Sequence, residues 1–529
     1  VSFFNIFSIL NSPKRPLTIK RPFTTKLLVI IAFCVVIPSY VFAQKFIDPR
    51  DAETFFKEKN YMAAMKAYKD LVKSDPNNID YHYKLGMCYL NTNVDKPAAI
   101  SCFEWIVKQP KFDYEVWYEL GRAYHYGNKF TEAIKAFTSF KEHASVADKA
   151  KADKEIEECN NGIQLVKYPL NVTFEDVGKM VNSPYPDYYP FVSSDESMLI
   201  FTTRRPGGAA QQPEVDGYYS SDIFISHAVN GVWQKAKSVG SQINTGDDEE
   251  AAGLNPSGNE LIIYLDHIDN FGDLYYSERK GNTFSKPIKY NEAINSGFES
   301  SGCISPDGSV LFFASNRAGG YGETDIYMAK KLPNGMWASP QNLGRNVNTM
   351  YKEDFPWMDL DGTTLYFSSQ GHSTMGDFDL FKSQWTNPDS NSWSPPQNLG
   401  YPVNSSGDDR CISFTDKHNV AYISRVRPDG FGDYDIYRIV FNDNQRYGII
   451  RGKLITGDTA KPIEGLMTIT DPKNPDMQPL TFKPTKSGKY VMALMPGFYD
   501  LTIECEGYPT LKDKVIVLDL NSFQPETVK

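Results

Sequence analysis

Between about residues 182 and 440 the chain alternates short apolar runs with turn text, and five of these runs follow the same order. Leu199-Ile200-Phe201, Leu261-Ile262-Ile263-Tyr264, Val310-Leu311-Phe312-Phe313, Leu365-Tyr366-Phe367 and Val420-Ala421-Tyr422-Ile423 each follow a Pro-Asp-Gly-like turn. Aromatic and β-branched runs bounded by such turns predict hairpin strands. A second run closes each unit: Asp222-Ile223-Phe224, Asp273-Leu274-Tyr275, Asp325-Ile326-Tyr327, Asp379-Leu380-Phe381 and Asp435-Ile436-Tyr437. Their aspartates lie 51, 52, 54 and 56 residues apart, the period of a four-stranded propeller blade. An aromatic (Trp233, Phe284, Trp337 or Trp393) and Asn-Leu-Gly-like and Val-Asn-like text follow. The pattern predicts five blades, or six if residues near 168–180 and 441–455 build another.

The period changes on either side. Upstream, Leu85-Gly86 and Leu120-Gly121 are 35 residues apart, and Ala64, Ala99, Ala133 and Tyr68, Phe103, Phe137 step by 34 or 35. Small residues at fixed helical positions let neighbouring helices approach, and Pro76 and Pro110 fall where a helix must end. Downstream of Gly448, short apolar and polar alternations between Gly and Pro turns predict a small β-sandwich. The expected fold class is a multidomain α plus all-β chain: signal peptide 1–43, α-solenoid 48–162, β-propeller 168–445 and C-terminal β-sandwich 446–529.

Ser305-Pro306-Asp307-Gly308, Ser315-Asn316-Arg317 and Asp325-Ile326-Tyr327 resemble the TolB-like propeller repeat, which is WD40-like in architecture. Trp117, Leu120, Gly121, Tyr124, Phe130, Ala133 and Phe137 stand where tetratricopeptide repeats carry their consensus residues, over about three repeats. Ser487-Gly488-Lys489-Tyr490, Met495-Pro496-Gly497-Phe498-Tyr499 and Glu506-Gly507-Tyr508 resemble the carboxypeptidase regulatory-like domain, an accessory module without catalytic residues.

Composition narrows the function. A net charge of −10, with basic residues clustered only near the N-terminus, opposes nucleic-acid binding. Lys14, Arg15, Lys20, Arg21 and Lys26 precede the apolar run Leu27–Ile37 and the cleavage text Val41-Phe42-Ala43, so the mature chain is expected to begin at Gln44 outside the cytoplasm. Eleven apolar residues are too few for a transmembrane span. Phe33 departs from a lipobox before Cys34, and the other six cysteines have neither paired nor metal-ligand spacing.

Catalytic, cofactor and metal sets are not expected. Gly371-His372-Ser373-Thr374-Met375 comes nearest to a nucleophile elbow but lacks its second glycine, and the seven histidines are isolated in sequence. The acid pairs Glu323/Asp325, Asp377/Asp379 and Asp433/Asp435 have calcium-like spacing; acceptance of backbone N–H groups at blade turns accounts for them with fewer requirements. The candidate partner groove lies on the solenoid, at Asp80, Tyr83, Met87, Glu115, Tyr118, Arg122 and His125, with packing against the propeller as the competing role for that face.

The domain order resembles periplasmic PorE-type proteins of Bacteroidota, OmpA-family proteins associated with type IX secretion and gliding. That resemblance implies a scaffold for outer-membrane or periplasmic secretion components, associated with the outer membrane through its partners. Peptidoglycan binding would require an OmpA-like domain beyond Lys529. The alternative is a periplasmic module binding glycan or peptide in the propeller funnel.

Overall fold

The computed structural model describes residues 48–517, except 268–269, 388–389, 443–447, 458, 473–478 and 496. The signal peptide, its cleavage site and Cys34 lie outside the described residues.

Seven α-helices come first: α1 (Pro49–Lys57), α2 (Tyr61–Ser74), α3 (Ile79–Leu90), α4 (Ala99–Ile106), α5 (Val116–Tyr126), α6 (Phe130–Lys141) and α7 (Val146–Leu165). Polar side chains fix several starts: Asn60, Asn78 and Ser145 accept the N–H of Ala63, Tyr81 and Asp148. Each helix packs on the next. The small residues take aromatic rings against the backbone, since a Cβ at Gly86, Gly121 or Gly162 would stand 2.6, 2.5 or 2.6 Å from Phe103, Phe137 or Phe130. Among the described residues, no helix is long and apolar enough to cross a membrane.

Five antiparallel sheets follow. Their innermost strands are Asp187–Val192, Asp248–Leu254, Glu299–Ile304, Glu353–Met358 and Ile412–Phe414, and each contacts the next around a closed ring. Blades one to four are meanders running outward in chain order. Blade five takes its outer strand from the other end of the ring: Val172–Asp176 pairs antiparallel with Asp435–Phe441. The text near 168–180 therefore completes the fifth blade, and Gly448–Lys453 pairs instead with Lys489–Leu494 in the C-terminal module, so no sixth sheet forms from these segments.

The Val-Asn text has one physical role in all five blades. Asn182, Asn244, Asn295, Asn348 and Asn404 each accept a backbone N–H and donate to the carbonyl of the same residue, respectively Ile436, Ile223, Leu274, Ile326 and Leu380, at 2.7–3.1 Å. That residue directly follows the repeated aspartate. Asn182 reaches across the closure to blade five, whereas Asn244 serves its own blade one.

Trp337 and Trp393 are buried between blades, and Trp233 packs edge-on against Tyr422 at 6.0 Å. Beyond the ring, a two-stranded sheet and the four-stranded sheet of Leu480–Phe482, Leu466–Thr470, Gly497–Glu504 and Leu511–Val517 share a core that includes Met467, Ile469, Met492 and Leu494. Of the six described cysteines, all unpaired, five are buried.

Replacing Asn182 with alanine strands the buried N–H of Ile436 and leaves its carbonyl only the Val177 N–H, at 3.5 Å. At about 1–3 kcal/mol for each unsatisfied group, Asn182→Ala is expected to lower the propeller's urea midpoint by an amount close to that of Asn404→Ala. An unchanged midpoint would show that closure does not depend on this clamp.

Candidate functional site

The repeated acids fall into two structural rings. The aspartates at the start of the third strands mainly hold turns: Asp222 accepts from the Ala209 N–H at 3.0 Å, Asp379 from Met375 at 3.0 Å, Asp325 from Tyr321 and Gly322, and Asp435 from Phe431. Asp273 instead receives the Lys289 ammonium at 2.5 Å. Burial pushes the Asp222 carboxyl up to about 6 and that of Asp435 to about 7.

The second ring escaped the sequence reading. Asp187, Glu249, Glu299, Glu353 and Asp409 stand at the start of, or just before, the innermost strands. Four of them accept the N–H of the residue four positions earlier, namely Ser183, Thr245, Thr349 and Ser405. Arg205, Arg317 and Arg425 pair with the acids of blades one, three and five and also bond carbonyls beside the asparagine clamps. In blades two and four hydroxyls take the place of the arginine: Thr245 bonds Glu249, and Thr349 and Ser369 each bond Glu353 at 2.7 Å. Burial pushes both glutamates up to about 7, against which these bonds act only in part. The Ser-Asn-Arg text was the available signal; the distance in sequence between arginine and acid concealed their pairing.

The residues flanking this second ring build the funnel. A cavity of about 780 Å³ opens at the centre of the propeller. Its lining includes the positions before the ring acid (Asp248, Phe298, Lys352), those after it (Tyr188, Glu250, Ser300, Asp354, Arg410) and residues at or just past the ends of the second strands (Arg204, Asp266, Asn316, Gln370). Irregular register in the innermost strands accompanies left-handed backbone at Tyr189 and Phe355, φ 51° and 45°. Their rings meet at 4.2 Å, joining blades one and four across the channel.

The lining carries seven carboxylates against three cations. Arg204 serves Glu214 and Asp216, Lys352 approaches Glu323 at 3.5 Å, and Arg410 binds Asp408. Hydroxyl groups hold several other acids: Ser221 bonds Asp248, Tyr188 bonds Glu250 at 2.8 Å, and Ser300 bonds Asp354 at 2.8 Å. Asp248 and Asp266 stand directly opposite in the ladder. Burial and then Asp248 push the Asp266 carboxyl up, and burial takes Glu250 to about 7. With Tyr264 and Phe298 packed edge-on beside them at 5.8 Å, blade two offers a cation both carboxylates and ring faces.

The candidate groove residues on the helices divide between two environments. Asp80 is exposed and pairs with Lys84 at 2.9 Å, and Glu115 is exposed at the start of α5. Tyr83 and Met87 are half-buried on α3, with Tyr83 against Phe103; Arg122 pairs with Glu119 at 2.9 Å. Tyr118 and His125 are enclosed: Tyr118 donates to Glu155 at 2.6 Å, and a His125 ring nitrogen meets the Met375 carbonyl at 2.8 Å. The face near them is filled by α7 and the propeller loop containing Met375. Asn91, Thr92 and Asn93, after α3, line a second cavity of about 370 Å³ that shares Tyr188, Tyr189, Arg204, Glu250 and Arg410 with the funnel.

No protein-family model matches the chain, and no curated protein matches it. Among solved structures, TolB from Acinetobacter baumannii aligns at 14% identity over 58% of this chain and 63% of that one, with a TM-score of 0.28. The alignment thus spans less than two thirds of that protein. A TolB from Agrobacterium tumefaciens aligns at 13% over 51% and 98%, TM-score 0.28, and a glycosyl hydrolase from Bacteroides ovatus at 12% over 50% and 93%, TM-score 0.34. At such scores the architecture rests on the chain's own sheets and ring contacts.

Glu249 and Glu353 have folded pKa values raised from 4.5 to about 7. The unfolded chain therefore releases these protons first as pH rises, and their contribution to stability falls across that interval. The double variant Glu249→Gln/Glu353→Gln is expected to flatten the fall in urea midpoint between pH 5 and pH 7.5; an unaltered slope would remove these two groups as its source.

Proposed function

We propose that this chain is a non-catalytic scaffold of the bacterial cell envelope, periplasmic and associated with the outer membrane through its partners, whose funnel receives a cationic segment of a protein. The excess of carboxylates around the cavity carries this reading: the lining cations already serve acids, while Asp248 and Asp266 stand directly opposite in the ladder, where like charges repel. An arriving lysine or arginine would relieve that repulsion and lie beside Tyr264 and Phe298. Resemblance of the domain order to PorE-type proteins supports placement in a type IX secretion or gliding assembly. Under this reading the helices form a tetratricopeptide-type solenoid and the final sheets a regulatory-like sandwich. Both modules extend the surface available to partners.

The aromatic rim also favours a second reading, binding of a glycan or an uncharged peptide. The two readings separate by charge. A lysine- and arginine-rich peptide is expected to bind the full chain with salt-sensitive affinity in fluorescence anisotropy, and Asp248→Asn/Asp266→Asn is expected to weaken it at least tenfold, about 1.4 kcal/mol. Equal binding of an acidic control peptide, or no loss in the variant, would reject the cationic reading. A saturable rise in melting temperature with an uncharged oligosaccharide would favour the glycan one.

A further inference from the structure

His125 stands where the helices meet blade four, against the Gly371–Met375 loop that comes nearest to a nucleophile elbow in the sequence. From the C-terminal turn of α5 its Nε2 lies 2.8 Å from the Met375 carbonyl and its Nδ1 3.4 Å from a Glu155 carboxylate oxygen. Both neighbours are acceptors. A neutral imidazole has one N–H and would turn a lone pair toward one of them, whereas the imidazolium donates at both sides.

We propose that protonated His125 is a latch that holds the helical domain on blade four and releases as the ring loses its proton.

The surroundings support the charged ring. From α7, Glu155 and Glu158 face it, while Lys154 bonds Glu158 at 3.0 Å and the Thr374 hydroxyl at 2.9 Å. From α5, Tyr118 donates to Glu155, Arg122 is engaged by Glu119, and Tyr126 donates to Asp377 at 3.2 Å. From α6 the neighbour is the Phe130 ring, and on the propeller His372 is kept neutral by burial and the adjacent Arg451. Imidazolium and ammonium thus face the Glu155 carboxylate and the Glu158 carboxyl group. The same three groups, His125, Glu155 and Glu158, have the makeup of a metal site. Lys154 already neutralises one of its two acids, which favours the proton over a divalent ion.

Side chains on both sides hold the backbone of the Thr374–Met375 loop. Met375 N–H bonds Asp379, Asn161 donates to the Thr374 carbonyl at 2.7 Å, and the Met375 side chain enters the core of α5–α7. Burial is the largest influence on His125 and opposes its charge, but Glu155, Glu158 and the Met375 carbonyl together outweigh it and raise the folded pKa above 6.5. The latch's contribution is therefore full below 6.5 and is lost as pH rises through the folded value. Glu158, pushed up to about 7 by burial, changes in the same direction as it ionises.

Two measurements on the full chain test the latch. Nitrogen-15 spectra of histidine-labelled protein, with His125 assigned by its loss in His125→Gln, are expected to show both ring nitrogens protonated at pH 6.5; a neutral tautomer there would overturn the proposal. Hydrogen exchange, corrected for its intrinsic pH dependence, is expected to show protection at residues 372–377 and α7 falling by up to tenfold per pH unit above the folded pKa, with the slope absent in His125→Gln. Constant protection in the unsubstituted chain would overturn the proposal, as would stoichiometric zinc uptake that raises protection at pH 8.

Discussion

Everything downstream of the helices depends on how the ring closes. The fifth blade is incomplete in its own stretch of chain: it lacks an outer strand and an asparagine clamp. Both come from residues 172–182, as the Val172–Asp176 strand and as Asn182 on Ile436. Closure removes the exposed edge that an open array would present. It also fixes where the flanking modules begin, because the chain enters and leaves the propeller through adjacent strands of one blade. The helices and the final sheets therefore start side by side. They meet directly, with Val491 in the core of α5–α7 and Lys489 paired to Glu157 of α7 at 2.9 Å.

A repeat array assigns its recurring residues to building itself. The third-strand aspartates hold turns, the asparagines fasten strands, and the second ring of acids anchors the loops before the innermost strands. These carboxylates are largely buried, and burial raises several of their pKa values toward neutrality. That cost is accepted because these acids, Asp273 apart, satisfy N–H groups that would otherwise be stranded. Recognition chemistry occupies the positions that differ. The residue just before the ring acid is Pro186, Asp248, Phe298, Lys352 or Asp408; the one just after is Tyr188, Glu250, Ser300, Asp354 or Arg410. A common backbone thus presents five different faces to one cavity.

This explains what could be read in advance. Strand order and the turn-holding role of most third-strand aspartates follow from period and residue type, which are local properties, whereas the period left five or six blades open. Gly86 and Gly121 were readable as close-approach positions for the same reason, since helical spacing brings a ring to each. The funnel was not readable, because its residues are defined by departure from the repeat and meet only when the ring closes. The acid–arginine pairs were hidden similarly: Asp187 and Arg205 lie eighteen residues apart. On the helices, spacing identified a candidate groove face and left open whether a partner or the propeller covers it. Tyr118 and His125 are covered by α7 and a propeller loop more than two hundred residues away, while Asp80 and Glu115 remain exposed.

The placement of the helical domain follows from these constraints and bears on the funnel. With its last helix leading into the closing strand, the domain lies over blades four and five and extends toward blade one. Asn93 donates to Asp433 at 2.7 Å, and Tyr218 of blade one donates to the other oxygen of the same carboxylate at 2.9 Å. The Asn91–Asn93 loop thereby forms part of the rim. A ligand on that side touches helical and propeller residues together, around Tyr188, Glu250 and Arg410. Movement of the helices would change the size of this opening while leaving the blades intact, because blade closure is fastened by Asn182 and the Val172–Asp176 strand rather than by the helices. The closing segment therefore separates two mechanical tasks: it holds the ring together and gives the helical domain a fixed point from which to cover the mouth.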